Sequence, residues 1–472
     1  MSWEAVIGLE IHVQLKTRTK MFCRCAVGAL DDPNTRTCPI CLAHPGTLPV
    51  PNKEAIEWTI RLGLALGCEI AERAVFHRKN YFYPDNPKGY QISQYDEPLC
   101  VNGGVGLPGP DGVAEIGITR AHLEEDAAKT LHVGGAEGRI HGATASLVDF
   151  NRGGTPLVEI VTDPDIRTAE QARRFLQLLR QTVVELGISD AEMEKGSLRF
   201  DVNVSVRETG EEDLRTRTEL KNMNSFNFAA KGIEREIRRQ VEIYESGGTV
   251  DQETLHFDPG NENAPPLRSK EEAQDYRYFP EPDLVPIEPR REWSLDELRG
   301  ELVESPSARL ERVLAAGLEL RDAEALNAEP ARVSLFETIR DAGIEARPAA
   351  TFVLNDVARH EVDPARVDGA ELAKVLRERD QIPREAFDAA VAASASEGFS
   401  AEAYLRERTV ADTSELDPVI DRILSENEGQ VEAYRAGKEG LLGFFVGQVM
   451  RETQGKANPK VVNARLREKL RT

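Results

Sequence analysis

The first apolar stretch of the chain alternates with a period of two. In Val6-Ile7-Gly8-Leu9-Glu10-Ile11-His12-Val13-Gln14-Leu15, every second residue from Ile7 onwards is apolar, and Glu10 and His12 fall on the other side. This pattern predicts a strand with one buried face. It is typical of an edge strand with a solvated polar face. A neighbouring Glu and His can also hold a divalent cation or move a proton.

The same pattern returns in two later stretches. Apolar residues occupy alternate positions from residue 198 to 207, and residues 218–225 add two charged positions with the same spacing. The polar positions of these stretches are Arg199, Asp201, Asn203, Ser205, Arg207, Glu219 and Lys221. Several such strands in one N-terminal block predict an antiparallel sheet whose polar face lines a cleft.

Acidic residues stand in two unusual contexts. Glu159 interrupts the apolar strand Leu157-Val158-Glu159-Ile160-Val161. A buried carboxylate there needs a cation, a hydrogen-bond network or a shifted pKa. Glu124-Glu125-Asp126 closely follow His122. Such a run is typical of a solvated helix start and could also supply a metal ligand.

Helical spacing of apolar residues marks the rest of the chain. It predicts helices over residues 52–67 and 168–186, the second capped by Thr168 with Gln171 in its first turn. From about Ser294 onwards, strand patterns give way to Ala-, Glu-, Arg- and Leu-rich helical spacing interrupted by prolines. This change predicts a separate helical module.

Length and charge narrow the class of protein. The 472 residues allow about two to four domains. The formal net charge of -22 argues against a non-specific nucleic-acid binder, although it leaves room for a local basic surface. The sequence has no apolar run of about 18 residues and no basic n-region of a signal peptide. We therefore expect a cytoplasmic protein without a membrane span.

The C-terminal end is basic within this acidic chain. Residues 450–472 contain seven Lys or Arg and two Glu, a net charge of +5. A local positive charge of this kind indicates a phosphate-backbone partner. Lys456, Lys460 and Arg465 are the candidate contacts. A solvated terminal helix is the alternative.

Four of the six cysteines lie close together in sequence. Cys23, Cys25, Cys38 and Cys41 form two pairs separated by a short polar loop. This arrangement predicts a structural zinc site with four thiolate ligands. Four unrelated buried thiols are the alternative. Cys68 and Cys100 stand alone and are predicted to lie in the core.

A loop rich in tyrosine follows at residues 78–95. It holds four tyrosines, including Tyr81 and Tyr83, together with Lys79 and Lys88. Aromatic faces and lysines suit a base, a ribose and a phosphate. The same composition also fits a loop that uses tyrosines for packing.

Specific motifs across the whole chain resemble the B subunits of aspartyl/glutamyl-tRNA(Asn/Gln) amidotransferases. The motifs are Val6-Ile7-Gly8-Leu9-Glu10-Ile11-His12, Cys38-Pro39-Ile40-Cys41 with Pro45-Gly46, Lys79-Asn80-Tyr81-Phe82-Tyr83-Pro84-Asp85, Leu147-Val148-Asp149-Phe150-Asn151-Arg152-Gly153-Gly154-Thr155-Pro156-Leu157 and Gly455-Lys456-Ala457-Asn458-Pro459. The resemblance implies an α+β fold. It implies a cradle-like antiparallel sheet domain with flanking helices at residues 1–293. An all-α helical domain would follow at residues 294–405. A small helical tail at residues 406–472 would bind tRNA.

The resemblance also implies a reaction, that of a glutamine-hydrolysing ligase. Such a subunit uses ATP and Mg²⁺ to phosphorylate the side-chain carboxylate of Glu-tRNA(Gln) or Asp-tRNA(Asn). Ammonia from an amidase A subunit then displaces phosphate, and a small C subunit joins the other two. This chain has no Ser-Lys amidase signature. Glutamine hydrolysis is therefore expected on the partner.

Site residues are carried over by position. His12, Glu125 and Glu159 would be the magnesium ligands, with Glu10 close by, and Mn²⁺ is possible because one ligand is an imidazole. Asp201 and Glu219 would support these ligands or orient substrate. Charge suggests Lys79, Lys88 and Arg199 as phosphate contacts. Further substrate or nucleotide candidates are Tyr81, Tyr83, Ser93, Asn203 and Lys221. The alternative function is a non-catalytic scaffold that binds tRNA and is stabilised by structural zinc.

Overall fold

The computed structural model describes residues 2–28, 32–134, 142–221, 223, 225–256, 266–269, 275–408 and 413–471. The chain divides into two compact units, Met1–Ala308 and Arg309–Thr472. None of the helices in the described ranges is both long enough and apolar enough to cross a membrane.

The first unit is built on strands. They are β1 (Trp3–Gln14), β2 (Glu69–Ile70), β3 (Phe76–Asn80), β4 (Tyr90–Gln94), β5 (Cys100–Gly109), β6 (Gly112–Glu125), β7 (Lys129–Val133), β8 (Ala145–Asp149), β9 (Pro156–Thr162), β10 (Leu198–Glu208), β11 (Thr218–Lys221), β12 (Glu253–His256), β13 (Pro266–Ser269) and β14 (Phe279–Pro280). Within the described residues, nine of these strands form one sheet in the order β13-β12-β11-β10-β1-β9-β6-β5-β2. All neighbours in this sheet are antiparallel except β11 and β12, which are parallel. The predicted α+β fold is confirmed, with this one parallel pair in the sheet.

Strand β1 lies inside the sheet. It pairs with β10 on one side and with β9 on the other, so it is not an edge strand. Its predicted alternation is confirmed, because Ile7, Leu9, Ile11 and Val13 are buried at no more than 2% exposure. Each such side chain contributes roughly 1.5–3 kcal/mol to folding.

Helices cover the apolar face of this sheet. The helices of the first unit are α1 (Lys53–Ala65), α2 (Ala169–Glu185), α3 (Phe226–Glu245), α4 (Pro289–Glu292) and α5 (Leu295–Gly300). Helix α1 packs against β5 and β6, and α3 packs against β10 and α2. The predicted cap of α2 is confirmed: the Thr168 side chain accepts from the Gln171 amide, and the Gln171 side chain accepts from the Thr168 amide. The helices leave the opposite, polar face of the sheet for the site.

Two smaller sheets complete the first unit. Strands β14, β3 and β4 form a three-stranded antiparallel sheet, and β4 lies against β6. Strands β7 and β8 form a separate two-stranded ribbon. The three-stranded sheet brings the tyrosine-rich loop next to the end of β6.

Helices continue from the boundary through the second unit. They are α6 (Pro306–Leu314), α7 (Leu320–Asn327), α8 (Pro330–Asp341), α9 (Ala346–Thr351), α10 (Gly369–Arg377), α11 (Arg384–Ala393), α12 (Ala401–Arg408), α13 (Thr413–Glu426), α14 (Glu428–Arg435), α15 (Leu442–Glu452) and α16 (Pro459–Arg471). A π-helical segment, Phe352–Val357, follows α9. Helices α13, α15 and α16 share one apolar core around Leu416, Phe445 and Leu466. The domain boundaries at 293/294 and 405/406 stay predictions.

Candidate active site

The centre of the polar face is a cross-strand row on β1, β9 and β6. Glu159 lies directly opposite His12 on one side and His122 on the other. Its Oε2 is 3.5 Å from His12 Nε2 and 3.8 Å from His122 Nε2. Glu10 and Glu124 flank this row, and each presents a carboxylate oxygen 3.9 Å from His12 Nε2. One imidazole is thus surrounded by three carboxylates.

These side chains can hold a metal ion. Glu10, His12 and Glu159 form one group whose ligand atoms lie within 4.8 Å of one another, and His122, Glu124 and Glu159 form a second such group. Mixed nitrogen and oxygen donors fit a divalent cation. The imidazoles suit Mn²⁺ better than Mg²⁺, which prefers oxygen ligands.

The pKa shifts in the row reflect burial and the crowding of several carboxylates. Burial and the nearby Glu159 raise the pKa of Glu124 to about 7, and the same two causes raise the pKa of Glu10. Burial opposes protonation of His12, but its hydrogen bond to Glu159 and the surrounding carboxylates raise its pKa to about 9. A bound cation would offset this negative charge.

A lysine and several aromatic rings lie close to the row. Lys79 Nζ lies 4.9 Å from the ring centre of Tyr276. Burial works against its charge, but Glu124 and Glu159 raise its pKa. Tyr81 meets Tyr276 edge to face at 6.5 Å, whereas the Tyr83 side chain is 54% exposed. The tyrosine-rich loop therefore combines packing with an exposed aromatic surface.

Ser93 and Arg199 contact the two ends of the acidic run Glu124-Glu125-Asp126. Ser93 Oγ donates to Glu124 Oε2 at 3.2 Å. The guanidinium of Arg199 forms an ion pair with Asp126 at 2.9 Å, and Arg199 lies opposite His12 across β1 and β10. Both predicted residues thus border the row.

A second polar group extends the site across β10 and β11. Asp201 lies opposite Glu10, and Asn203 lies opposite Glu219. Lys221 Nζ is 3.4 Å from Asp201 Oδ2 and 3.1 Å from Glu219 Oε1. A cavity of about 170 Å³ opens here, lined by Glu10, Asn203, Arg217, Glu219, Gln252, Glu253 and Thr254.

The four clustered cysteines converge. The Sγ atoms of Cys23, Cys25, Cys38 and Cys41 all lie within 4.8 Å of one another. The Sγ atoms of Cys38 and Cys41 are 3.8 Å apart. Four thiolates around a tetrahedral zinc would be separated by about 3.8 Å, because each Zn–S bond is about 2.3 Å. The cluster therefore fits zinc. Cys68 and Cys100 are buried in the core, as predicted.

Comparisons with known proteins agree along the whole chain. Residues 5–294 match the GatB/GatE catalytic domain, and residues 334–470 match the GatB domain. Curated relatives named as B subunits of aspartyl/glutamyl-tRNA(Asn/Gln) amidotransferase include those of Geobacter sulfurreducens (47% identical), Carboxydothermus hydrogenoformans (45%) and Persephonella marina (44%). Each match covers at least 99% of both chains. The chain belongs to this B-subunit family. The predicted resemblance and enzyme class, a carbon–nitrogen ligase subunit, are confirmed.

In this chain, Glu125 does not lie with His12 and Glu159, the two residues predicted to bind magnesium together with it. In the part of the chain that the structure describes, it joins no potential metal-binding group with His12 and Glu159. Its Oε1 instead accepts from the backbone amide of Ile92 at 3.0 Å and pairs with Lys88. Lys88 and Glu125 line a separate cavity of about 250 Å³ beside the cysteine cluster.

An irregularity in β6 explains this difference. Ile118 pairs with Thr162 while Arg120 pairs with Val161, so Thr119 is an extra residue. Such a bulge reverses which side chains face which side. Beyond it, His122 and Glu124 face the row, while Glu125 shares the face of Leu123. The sequence indicated that the acidic run after His122 could supply a metal ligand, but the predicted site residues included neither His122 nor Glu124. The His-x-Glu spacing on β6, which mirrors Glu-x-His on β1, was the available signal.

The basic tail of the chain is partly engaged in its own packing. Lys456 and Lys460 are exposed. Arg465 instead forms a two-point ion pair with Asp417 of α13 at 2.7 and 2.5 Å. Of the three candidate tRNA contacts, two are thus open to a partner, and Arg465 connects two helices.

Proposed function

We propose that this chain activates the side-chain carboxylate of mischarged Glu-tRNA(Gln), Asp-tRNA(Asn) or both by ATP-dependent phosphorylation. The observation that carries the proposal is the row of His12, Glu159 and His122, with Glu10 and Glu124 beside it. A binding scaffold has no need for three carboxylates around one imidazole. The relatives are named as B subunits of aspartyl/glutamyl-tRNA(Asn/Gln) amidotransferase, which supports an amidation of tRNA-bound aspartate or glutamate.

The proposed reaction has two steps. A side-chain carboxylate oxygen attacks the γ-phosphorus of ATP, and ADP leaves with the bond electrons. The acyl phosphate is then attacked at its carbonyl carbon by ammonia. Phosphate leaves with one oxygen of the former carboxylate, and the amide nitrogen loses its extra proton to solvent or phosphate. Phosphorylation is needed because a carboxylate is a poor electrophile.

We assign the divalent cation to His12 and Glu159, with Glu10 and Glu124 on either side. When bound, the cation would offset charge on the phosphates of ATP. Glu125, carried over by position from the family resemblance as a third ligand, stays a prediction that substitution can test.

The chain's own cations would hold the phosphates. Lys79 lies close enough to Glu124 and Glu159 for their charges to raise its pKa, and its own charge would attract the γ-phosphate. Lys88 and Arg199 are paired with Glu125 and Asp126, so each would exchange a carboxylate for a phosphate when ATP binds. Ser93 borders the row through its hydrogen bond to Glu124.

Substrate contacts are proposed on either side of the row. Asp201, Asn203, Glu219 and Lys221 line the face beyond Glu10, where a polar cavity is available. Tyr81 and Tyr83 offer aromatic faces to a base or ribose.

The chain is also proposed to bind a structural metal, partner subunits and the body of the tRNA. We propose structural zinc at the four cysteines, an amidase A subunit and a small C subunit as partners, and tRNA contacts at Lys456 and Lys460. A cytoplasmic location stays a prediction from the sequence.

A Glu159→Gln variant tests this proposal against the scaffold alternative. In complex with its partner subunits, the variant should bind mischarged tRNA normally and lose ATP-dependent activation by about 100-fold or more. Glu115→Gln, an exposed position on the same strand as His122, is the control and should behave as wild type. Full activity of Glu159→Gln would favour the scaffold.

A further inference from the structure

Lys20 is a buried cation beside the cysteine cluster. Its side chain is 1% exposed. Its Nζ lies 3.8 Å from Cys41 Sγ and donates to the Phe150 carbonyl oxygen at 3.0 Å. Its backbone amide donates to the Cys25 carbonyl at 2.9 Å, which fixes the residue at the base of the cysteine-bearing loop. A buried ammonium is costly unless an anion lies close to it.

The cysteine cluster would supply that anion. Zinc carries two positive charges and four thiolates carry four negative charges, so the loaded site has a net charge of about -2. Removing such a charge from water is unfavourable without compensation. The ammonium of Lys20 lies within hydrogen-bonding range of one of the four sulfurs and would offset half of this charge.

Lys20 also lies against the turn that follows β8. Gly154 in this turn has a φ of +86°, and a Cβ placed there would lie 3.3 Å from Lys20 Cδ and 3.8 Å from Glu125 Oε2. The Gly154 carbonyl accepts from the Met21 amide at 2.7 Å, and its amide donates to the Asp126 carbonyl at 2.8 Å. The lysine stem therefore fills the space between the cysteine cluster and the end of β6.

We propose that Lys20 is the counter-cation of the zinc site and that its charge sets the zinc affinity of this chain. The inference rests on the zinc assignment in the proposed function. It adds a positioning residue that acts on the metal through Cys41 rather than by ligation. Groups that contact metal ligands in this way commonly change metal affinity by about 10- to 100-fold.

Zinc competition with a chromophoric chelator tests the proposal on the full chain in complex with its partners. Lys20→Met removes the charge but keeps most of the stem, and it should weaken zinc binding by about 10- to 100-fold. Lys20→Arg keeps the charge and should stay within about threefold of wild type. Lys16→Met is the matched control, because Lys16 is about half exposed and pairs with Asp190 at 3.6 Å.

The zinc affinities of the two Lys20 variants and of the wild-type chain decide whether the charge of Lys20 matters. Wild-type affinity in Lys20→Met, or an equal loss in Lys20→Met and Lys20→Arg, would overturn the role of charge. If Lys20→Met fails to fold, Lys20→Arg decides alone: retained zinc supports the proposal and lost zinc contradicts it. A wild-type chain that binds no zinc would instead overturn the zinc assignment, and the Lys20 inference with it.

Discussion

Glu159 lies directly opposite His12 on neighbouring antiparallel strands, with 3.5 Å between Glu159 Oε2 and His12 Nε2. Both strands lie inside the sheet, where hydrogen bonds on both edges fix the positions of the two side chains. A preorganised pair of this kind suits metal-assisted phosphoryl transfer, in which positioning and charge compensation do most of the catalysis.

His12→Gln should weaken divalent cation binding. The substitution removes the imidazole that three carboxylates surround, so we expect Mn²⁺ affinity to fall by about tenfold or more. Mn²⁺ titration followed by electron paramagnetic resonance measures this directly. His132→Gln, on the separate β7–β8 ribbon, should bind Mn²⁺ as wild type does. Equal affinity in wild type and His12→Gln would remove the imidazole from the site.

Glu124→Gln and Glu125→Gln should differ although the residues are adjacent. Glu124 faces the metal row, whereas Glu125 pairs with Lys88 on the other face. We expect Glu124→Gln to weaken Mn²⁺ binding by about tenfold and Glu125→Gln to change it by less than about threefold. The reverse order would restore Glu125 as a ligand and show that the end of β6 rearranges when the metal binds.

The cysteine cluster should hold one zinc ion per chain. Elemental analysis of a Cys38→Ser/Cys41→Ser double variant should find almost no zinc, because a four-thiolate site loses two ligands. Its thermal midpoint should fall, and chelation should lower the wild-type midpoint in the same direction. Cys68→Ala/Cys100→Ala should keep its zinc. Loss of zinc from that second variant would contradict the assignment of ligands.

The exposed lysines of the tail should contribute to tRNA affinity through charge. Lys456→Ala/Lys460→Ala should reduce the slope of log affinity against log salt by about 2, because each lysine that no longer binds a phosphate lowers the slope by about 1. Arg465→Ala should leave this slope nearly unchanged and lower the thermal stability of the tail, because Arg465 is already paired with Asp417. A slope that falls with Arg465→Ala alone would identify Arg465 as the phosphate-binding residue instead.

Much of the site could be predicted from period-two patterns. The alternation around Glu10 and His12, and again around Asp201 and Asn203, correctly predicts the strands and their polar faces. The lone acid at Glu159 in an apolar strand also indicated a site, because burying an uncompensated carboxylate is unfavourable.

Strand order and local irregularity could not be predicted in this way. The pairings that bring Glu159 between His12 and His122 join residues 147 and 37 positions apart along the chain, and alternation does not encode them. The bulge at Thr119 also reverses the faces of the residues that follow it. The acidic run after His122, which is typical of a helix start, instead lies at the end of β6. Likewise, nothing in the basic tail composition indicated that Arg465 would pair with Asp417.

Phosphorylation of the substrate carboxylate by this chain is tested most directly by following the carboxylate oxygen atoms. Mischarged tRNA carrying ¹⁸O in both side-chain carboxylate oxygens is given to the complex of this chain with its partner subunits, together with ATP, glutamine and Mn²⁺ or Mg²⁺. We expect each inorganic phosphate released with amide formation to carry one ¹⁸O, and the Glu159→Gln complex to release no labelled phosphate. Unlabelled phosphate from the wild-type complex would contradict carboxylate phosphorylation. Labelled phosphate from the Glu159→Gln complex would place the activating site elsewhere.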